Sequence, residues 1–394
     1  MDLYYYQVDE MDLESVKAAE AKHYSHTFRR LPVAVIRGEG MYLYGASKER
    51  YLDMFAGIAV NSLGHAHPKV VETIRKQAAT LMHASNWVYT LPQIELAALL
   101  AEISGMDKAF ITNDGTEAVE AAYKLARKVT GKKEMIAMEN SFHGRTMGAL
   151  SLTSGEKYKK PFEPLVPGAK FVPYGDAQAL RKAITKDTAA VIVEPIQGEA
   201  GVIVPPAGYL REVREITAEK DVLMILDEVQ TGFARTGKMF CFEHEGVSPD
   251  ILCLAKGMGG GFPVGAMLLA CEDFEPGQHG GTFVGNPLAC SVSKTVIETL
   301  IAEKLAENSE KMGGYLQKNL KERGLSVRGK GLMIGIDVEN GEKTVLDLIK
   351  KGVLTIYSKN TVRILPPLII EKKHVDEFLT AIDSLELRQA HGTR

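Results

Sequence analysis

The stretch ILCLAKGMGGGFPVG, residues 251–265, decides how this chain reads. An apolar run leads into Lys256, and three consecutive glycines follow at 259–261. The run reads as a short strand buried on both faces. The glycines strip the next loop of side chains, so that backbone and a flat ligand approach each other closely. A lysine at such a strand end, beside groups that lower its pKa, is a candidate Schiff-base former. Taken alone, it reads more readily as a surface lysine in a flexible loop.

Outward from this stretch the same rhythm recurs. KAFITNDG is a short strand running into a turn, and TEAVEAAYKLARKVTG is a helix that stops at Gly131. EMIAMEN, AAVIVEP and VLMILDE are further short strands, apolar on both faces and separated by helical segments. The pattern predicts an α/β fold with a mainly parallel sheet and helices on both faces. Such sheets bind ligands beyond the carboxyl ends of their strands. Asn113, Asp114, Gly115, Thr116, Glu194, Asp227 and Lys256 all fall at those ends.

The two ends of the chain read differently. A polar helix pattern spans Leu13 to Tyr24, and VAVIRGEGMYLYGASKERYLD reads as a meander turning at Gly38-Glu39-Gly40. From Pro287 onward come a long helix, the strands VRGKGLMIGIDV, VLTIY and TVRILPP, and a closing helix, EKKHVDEFLTAID. We expect residues 58–286 to form the large domain. Residues 1–57 and 287–394 would together form a smaller α+β domain.

Composition bounds the function. With 394 residues, 45% of them apolar and 25% charged, the chain reads as a soluble globular protein of two domains. A formal charge of -3 argues against a nucleic-acid binder. Cys241, Cys253, Cys271 and Cys290 show no CxxC spacing, which points to a reducing compartment with no zinc site. The acidic N-terminus lacks a signal-peptide layout, and no apolar run approaches the ~20 residues that span a bilayer. A cytoplasmic protein is expected. His65 and His67 in LGHAHP lack a third ligand and read as structural, so no metal is expected.

The strand ends carry the chemistry. Asp227 closes VLMIL, where a carboxylate is costly unless something cationic meets it. A protonated pyridine nitrogen is such a partner; a helix cap or a core ion pair is the plainer alternative. NDGTEAVEAAYKLAR opens a helix at a glycine turn, and its free N–H groups suit a phosphate. No GxxxxGK[ST] is present, which disfavours a nucleoside triphosphate. Phe142 in NSFHGRT is placed to stack on a flat ring or to fill core. His143 reads as structural or as a base, and Arg145 suits bidentate carboxylate binding.

Six motifs occur in order: NDGTEAVEAA, SFHGRT, EPIQGEAG, LDEVQTGFARTG, LAKGMGGGFPVGA and HGGTFVGNPLAC. Together they resemble the class III aminotransferases, the pyridoxal-phosphate family that includes ornithine, acetylornithine and 4-aminobutyrate aminotransferases. The resemblance runs from MFAGIAVNSLGHAHP to VRILPPL. It implies a pyridoxal 5'-phosphate-dependent transferase of fold type I, a homodimer with its site at the subunit interface. Lys256 would be the Schiff-base lysine and proton shuttle, and Asp227 would pair with the pyridine nitrogen. Val229 and Phe142 would sandwich the ring, and Gln230 would reach its phenolic oxygen. Gly115 and Thr116 would hold the phosphate, with Thr282 of the other subunit. Glu199 and Arg363 would form a switch, Glu199 masking Arg363 except when 2-oxoglutarate needs it. Arg145 would take the donor's distal carboxylate.

On donor choice, Ile58 stands where ornithine aminotransferases carry a tyrosine, and it resembles the aliphatic residue of the acetylornithine and 4-aminobutyrate enzymes. HASNWVYTLPQ and FHGRTMGALS resemble the acetylornithine branch best. NDGTEAVE and HGGTFVGNP depart from that branch's usual NSGAEANE and HGSTYGGNP and lean toward the 4-aminobutyrate branch. The expected activity is ping-pong transfer of the terminal amino group of an N-acetylornithine-type donor to 2-oxoglutarate. The alternatives are a 4-aminobutyrate or broad ω-amino-acid aminotransferase (ornithine or lysine), and a racemase or aminomutase on the same fold. Intact Lys256 and Asp227 argue against a non-catalytic relative, and no strand leads into GxGxxG as a nicotinamide enzyme requires.

Overall fold

The computed structural model describes residues 12–385. The acidic extreme N-terminus read above, and the outermost parts of both terminal segments, lie outside the described residues. Asp12 caps the first helix, Leu13–His23, its side chain accepting from Ser15 N–H. Strands β1 (Val35–Glu39), β2 (Tyr42–Gly45) and β3 (Arg50–Asp53) form the expected antiparallel meander. Its turn falls at Gly40-Met41, later than expected. Gly40 takes a φ of +55° and pairs with His65, while Gly38 remains inside β1.

A seven-stranded sheet follows. Its strands are β4 (Lys108–Thr112), β5 (Glu134–Met138), β6 (Ala169–Val172), β7 (Thr188–Val193), β8 (Leu223–Asp227), β9 (Ile251–Leu254) and β10 (Gly265–Leu269). The order is β4-β10-β9-β8-β7-β5-β6. All neighbours run parallel except β10, which is antiparallel to both β4 and β9. β6 and β10 were not visible in the sequence pattern. β6 carries Lys170 in a four-residue run, and β10 follows directly on the glycine loop.

Side chains alternate faces along a strand, and that alternation builds two cores. Ile136, Val191, Met224, Leu226 and Leu252 belong to one cluster. Their chain neighbours Met135, Ala137, Ile192, Ile225, Ile251 and Cys253 belong to the other. The second face is covered by the helix Gly115–Thr130, whose buried stripe includes Ala118, Ala121, Ala122 and Ala126. Small residues let that helix lie close to the sheet. The first face receives Tyr209, Leu210, Val213 and Ile216 from the helix Tyr209–Glu219.

After the sheet, the single long helix expected from Pro287 is two helices, Pro287–Ala302 and Leu305–Glu322. Lys304 between them takes a φ of +52°, which a continuous right-handed helix forbids. VRGKGLMIGIDV is a hairpin of two strands, β11 (Ser326–Lys330) and β12 (Met333–Asp337). A helix absent from the sequence reading, Gly341–Lys350, is capped by Asn340. The run VLTIY divides between sheets. β13 (Val353–Leu354) adds in parallel to β3, with Val353 opposite Leu52. β14 (Ile356–Ser358) pairs with β15 (Thr361–Ile364) in the sheet β11-β12-β15-β14. The helix Lys372–Asp383 closes the described chain. No helix among the described residues is long and apolar enough to cross a membrane.

Ile192, fully buried at the centre of the large sheet, tests the core. Ile192→Ala removes apolar contact and leaves a cavity. It should lower unfolding stability by about 2–5 kcal/mol, read as an earlier denaturant or thermal transition.

Candidate active site

The carboxyl ends of β5, β7, β8 and β9 open into a cavity of about 450 Å³. Its lining includes Gly115, Thr116, Phe142, Arg145, Asp227, Val229, Gln230, Glu199 and Lys256. A second, outer cavity of about 750 Å³ adjoins it, sharing Phe142 and Glu199 and adding Ile58, Tyr357 and Arg363. Eleven of the twelve residues singled out from the sequence therefore line one or other cavity. The exception is Thr282, which is exposed and lines neither.

β9 delivers Lys256 two residues after its end, with a φ of +43°. That conformation is strained for a residue with a Cβ. The ammonium sits inside protein, touched by solvent only in part. Burial holds its pKa below the ordinary lysine range; Glu199 and Asp227 oppose that shift without cancelling it. A depressed pKa keeps more of the amine neutral and nucleophilic near neutrality.

Asp227 ends β8 and is 5% exposed. One oxygen, Oδ1, accepts from Val229 N–H at 3.1 Å, and Oδ2 lies 2.7 Å from His143 Nδ1. The His143 ring is buried and its Nε2 has no partner among the described residues. Glu194 lies nearby at the end of β7. Burial pushes its carboxyl up to about 7, and the charge on Asp227 adds to the rise. It accepts from Phe142 N–H at 2.9 Å and Gly198 N–H at 3.2 Å. The first bond ties down the loop that carries Phe142 and His143, and the second holds the turn after β7.

The helix Gly115–Thr130 starts at the cavity edge, with Asp114 as its cap, accepting from Glu117 N–H at 2.9 Å. Gly115 is required there: a Cβ would lie 2.7 Å from a Val229 methyl. Thr116 Oγ1 is 3.0 Å from Thr146 Oγ1. The open N–H groups and positive end of this helix face the cavity.

Arg363 on β15 is 1% exposed. Its Nη2 donates to Glu199 Oε1 at 2.8 Å and to Gln230 Oε1 at 3.0 Å, while Nε has no partner among the described residues. Burial would raise the Glu199 carboxyl; Arg363, then Lys256, outweigh it and hold the group below the ordinary carboxylate range. Arg145 is exposed and, among the described residues, pairs with no carboxylate. Its guanidinium lies 5.5 Å from the Phe142 ring and 4.9 Å from the Tyr158 ring. Tyr158 and Val60 are lining residues that sequence reasoning missed, since neither sits in a recognisable pattern. His65 lines neither cavity; its Nε2 lies 2.7 Å from Asp53 Oδ2.

The arrangement can hold an anion at a helix end, a cationic ring atom at a buried acid, and a carbonyl carbon at a buried amine of lowered pKa. Comparison with known proteins identifies the kind of enzyme that does this. The acetylornithine aminotransferase of Methanothermobacter thermautotrophicus is 48% identical over 386 residues, covering 95% of this chain and 98% of that protein. The enzyme of the same name from Methanocaldococcus jannaschii is 48% identical over 383 residues, covering 93% and 96%. Among solved structures, Toxoplasma gondii ornithine aminotransferase superimposes with a TM-score of 0.91 at 32% identity, covering 94% of this chain and 93% of that one, and was described with partial occupancy of pyridoxal phosphate at its active site. Acetylornithine aminotransferase from Elizabethkingia anophelis gives a TM-score of 0.86 at 37% identity, covering 94% and 98%. The family profile "Aminotransferase class-III" matches residues 23–385, and the chain belongs to the class III aminotransferases.

Proposed function

We propose that this aminotransferase moves the terminal amino group of N-acetylornithine to 2-oxoglutarate, giving glutamate and an aldehyde, with pyridoxal 5'-phosphate as cofactor. The observation that carries the reading is the closed Glu199–Arg363 pair at 2.8 Å, set where the two cavities meet and beside Lys256. A donor whose reacting end is an uncharged-chain amine meets no free guanidinium there. A dicarboxylate acceptor requires one, and Arg363 becomes available when Glu199 swings aside. The acetylornithine name shared by the similar proteins supports the same donor. The departures in NDGTEAVE and HGGTFVGNP therefore carry less weight than the chain as a whole.

The residues fit the cofactor. Gly115 and Thr116 would hold the phosphate, Val229 and Phe142 would contact the ring faces, and Gln230 would reach the phenolic oxygen. Asp227, oriented by His143, would face the ring nitrogen as a carboxylate, and Lys256 would hold the cofactor through Nζ. Bound there, pyridoxal phosphate supplies an amine-accepting carbonyl carbon and an electron-withdrawing ring. The chain supplies the rest. Lys256 Nζ, when free, would take and return a proton as base and then acid. Arg145, beside the Phe142 and Tyr158 rings and with no carboxylate partner among the described residues, would bind the donor's α-carboxylate.

Two copies are proposed to pair. Trp87 and Tyr89 are 96% and 98% exposed, and Leu91, Ile94 and Phe283 continue the apolar surface. A patch of that kind marks an interface, and Thr282 beside Phe283 would then reach the phosphate of a second copy. A cytoplasmic setting suits the four free cysteines.

A donor panel tests the substrate. With pyridoxal phosphate bound, N-acetylornithine and glutamate should convert the enzyme's absorbance rapidly to the amino form, and 4-aminobutyrate slowly; the reverse order overturns N-acetylornithine as donor. Lys256→Ala should reduce transamination about 10³-fold or more while the melting temperature stays within a few degrees. Retained turnover would remove Lys256 from the mechanism. Glu199→Ala should slow the N-acetylornithine half-reaction more than the glutamate half-reaction in stopped-flow measurement, because Arg363 then stays unmasked. Equal losses would exclude the switch.

A further inference from the structure

Four consecutive residues, Ala56, Gly57, Ile58 and Ala59, take positive φ angles of 50°, 62°, 68° and 62°. They make one left-handed turn, which Val60 N–H and Asn61 N–H close by donating to the Ala56 carbonyl at 2.8 and 2.9 Å. Three of the four carry side chains, whose Cβ atoms disfavour that conformation. A turn of this kind persists only where its surroundings over-determine it.

Asp53, at the end of β3, is fully buried. Its Oδ1 accepts from Phe55 N–H at 3.0 Å and Ala56 N–H at 2.8 Å, the two amides that enter the turn. Its Oδ2 lies 2.7 Å from His65 Nε2. His65 is fixed in its turn. Its backbone pairs both ways with Gly40 at 2.9 Å, and its ring packs against Gly38, where a Cβ would lie 2.7 Å away. The chain leaving the turn reaches the lysine loop, where Ser62 Oγ donates to the Gly257 carbonyl at 2.7 Å.

We propose that the Asp53–His65 pair is a positioning device for the amino donor: it clamps the left-handed turn so that Ile58 stands at the cavity mouth and grips the uncharged part of that donor. This rests on the proposed N-acetylornithine reading and on the place of Ile58 in the wall of the outer cavity. Neither Asp53 nor His65 lines either cavity, so both act through the turn. The acceptor depends on it far less. A dicarboxylate is held by guanidinium groups. Arg363 on β15 is held by Glu199 and Gln230, and Arg145 beyond β5 lies against the Phe142 and Tyr158 rings; the flank of the turn meets the chain after β15, where Leu365 N–H donates to the Met54 carbonyl at 2.8 Å, outside the four left-handed residues. The clamp therefore sets donor affinity separately from acceptor affinity.

Steady-state kinetics of His65→Ala, His65→Gln and Asp53→Asn, with hydrogen exchange of residues 54–62 by mass spectrometry, test the proposal. The donor is first fixed on the unmodified enzyme from N-acetylornithine, ornithine and 4-aminobutyrate. If N-acetylornithine is not used, the substrate reading fails by itself, and the clamp is tested with the donor that is. His65→Ala should raise the donor KM about tenfold, the scale of one lost hydrogen bond to a charged group. The kcat and the 2-oxoglutarate KM should stay within about twofold, and the amides of residues 55–61 should exchange faster. His65→Gln keeps a donor within reach of Asp53 and should recover most of both losses. Asp53→Asn, which keeps the shape and drops the charge, should show the same donor-selective rise, and it carries the test if His65→Ala does not fold. An unchanged donor KM, parallel rises for donor and acceptor, or a His65→Gln enzyme as impaired as His65→Ala would overturn the proposal.

Discussion

A carboxylate buried at the end of a strand is the constraint to which the site answers. Asp227 cannot be stable there without charge and hydrogen-bond partners. His143 takes one oxygen and Val229 N–H the other. His143 must then be held, and it is, because Glu194 fixes the preceding residue through Phe142 N–H. The loop after β5, the end of β7 and the end of β8 are thus tied together by three acidic or basic side chains. Lys256 joins them from β9, and its lowered basicity comes from the same burial. Parallel neighbours make this possible, since they bring four strand ends to one edge.

The second tie runs between sheets. Arg363 belongs to β15, yet its Nη2 is shared by Glu199 and Gln230, which follow β7 and β8. Breaking a buried pair by removing one partner is costly, whereas exchanging one anion for another is not. A guanidinium in that position favours replacement of Glu199 by an incoming carboxylate over simple loss of its partner.

Much of this was legible in the sequence, for identifiable reasons. VLMIL, ILCL and AAVIV read as strands because burial on both faces leaves continuous apolar runs. Asp227 and Lys256 stood out because each interrupts such a run with a charge. Helix Gly115–Thr130 announced both ends, with Asp114 before it and Gly131 after it. Other features left no local trace. β10 is short and follows a glycine loop, so its antiparallel insertion between β4 and β9 depends on pairing that no periodicity encodes. Glu199 and Arg363 lie 164 positions apart and were joined only through resemblance to a family. His65 was visible as a histidine near another, but its acid, Asp53, lies in a different motif. The left-handed turn between them defies residue preference altogether, since alanine and isoleucine rarely adopt it.

The division of VLTIY between two sheets bears on how the chain matures during synthesis. β3 gains its outer neighbour only when Val353 and Leu354 emerge, some 300 residues after Asp53. Until then a nascent chain carries β3 as an open edge, with unpaired backbone groups that invite wrong partners. Asp53 sits at the end of that strand, and Met54 N–H is bonded to the Leu354 carbonyl. The catalytic floor, by contrast, is complete once β10 has been made. Assembly on the ribosome is therefore ordered: the strand ends around Lys256 are made first, and the strand that completes the edge beside Asp53 is made last.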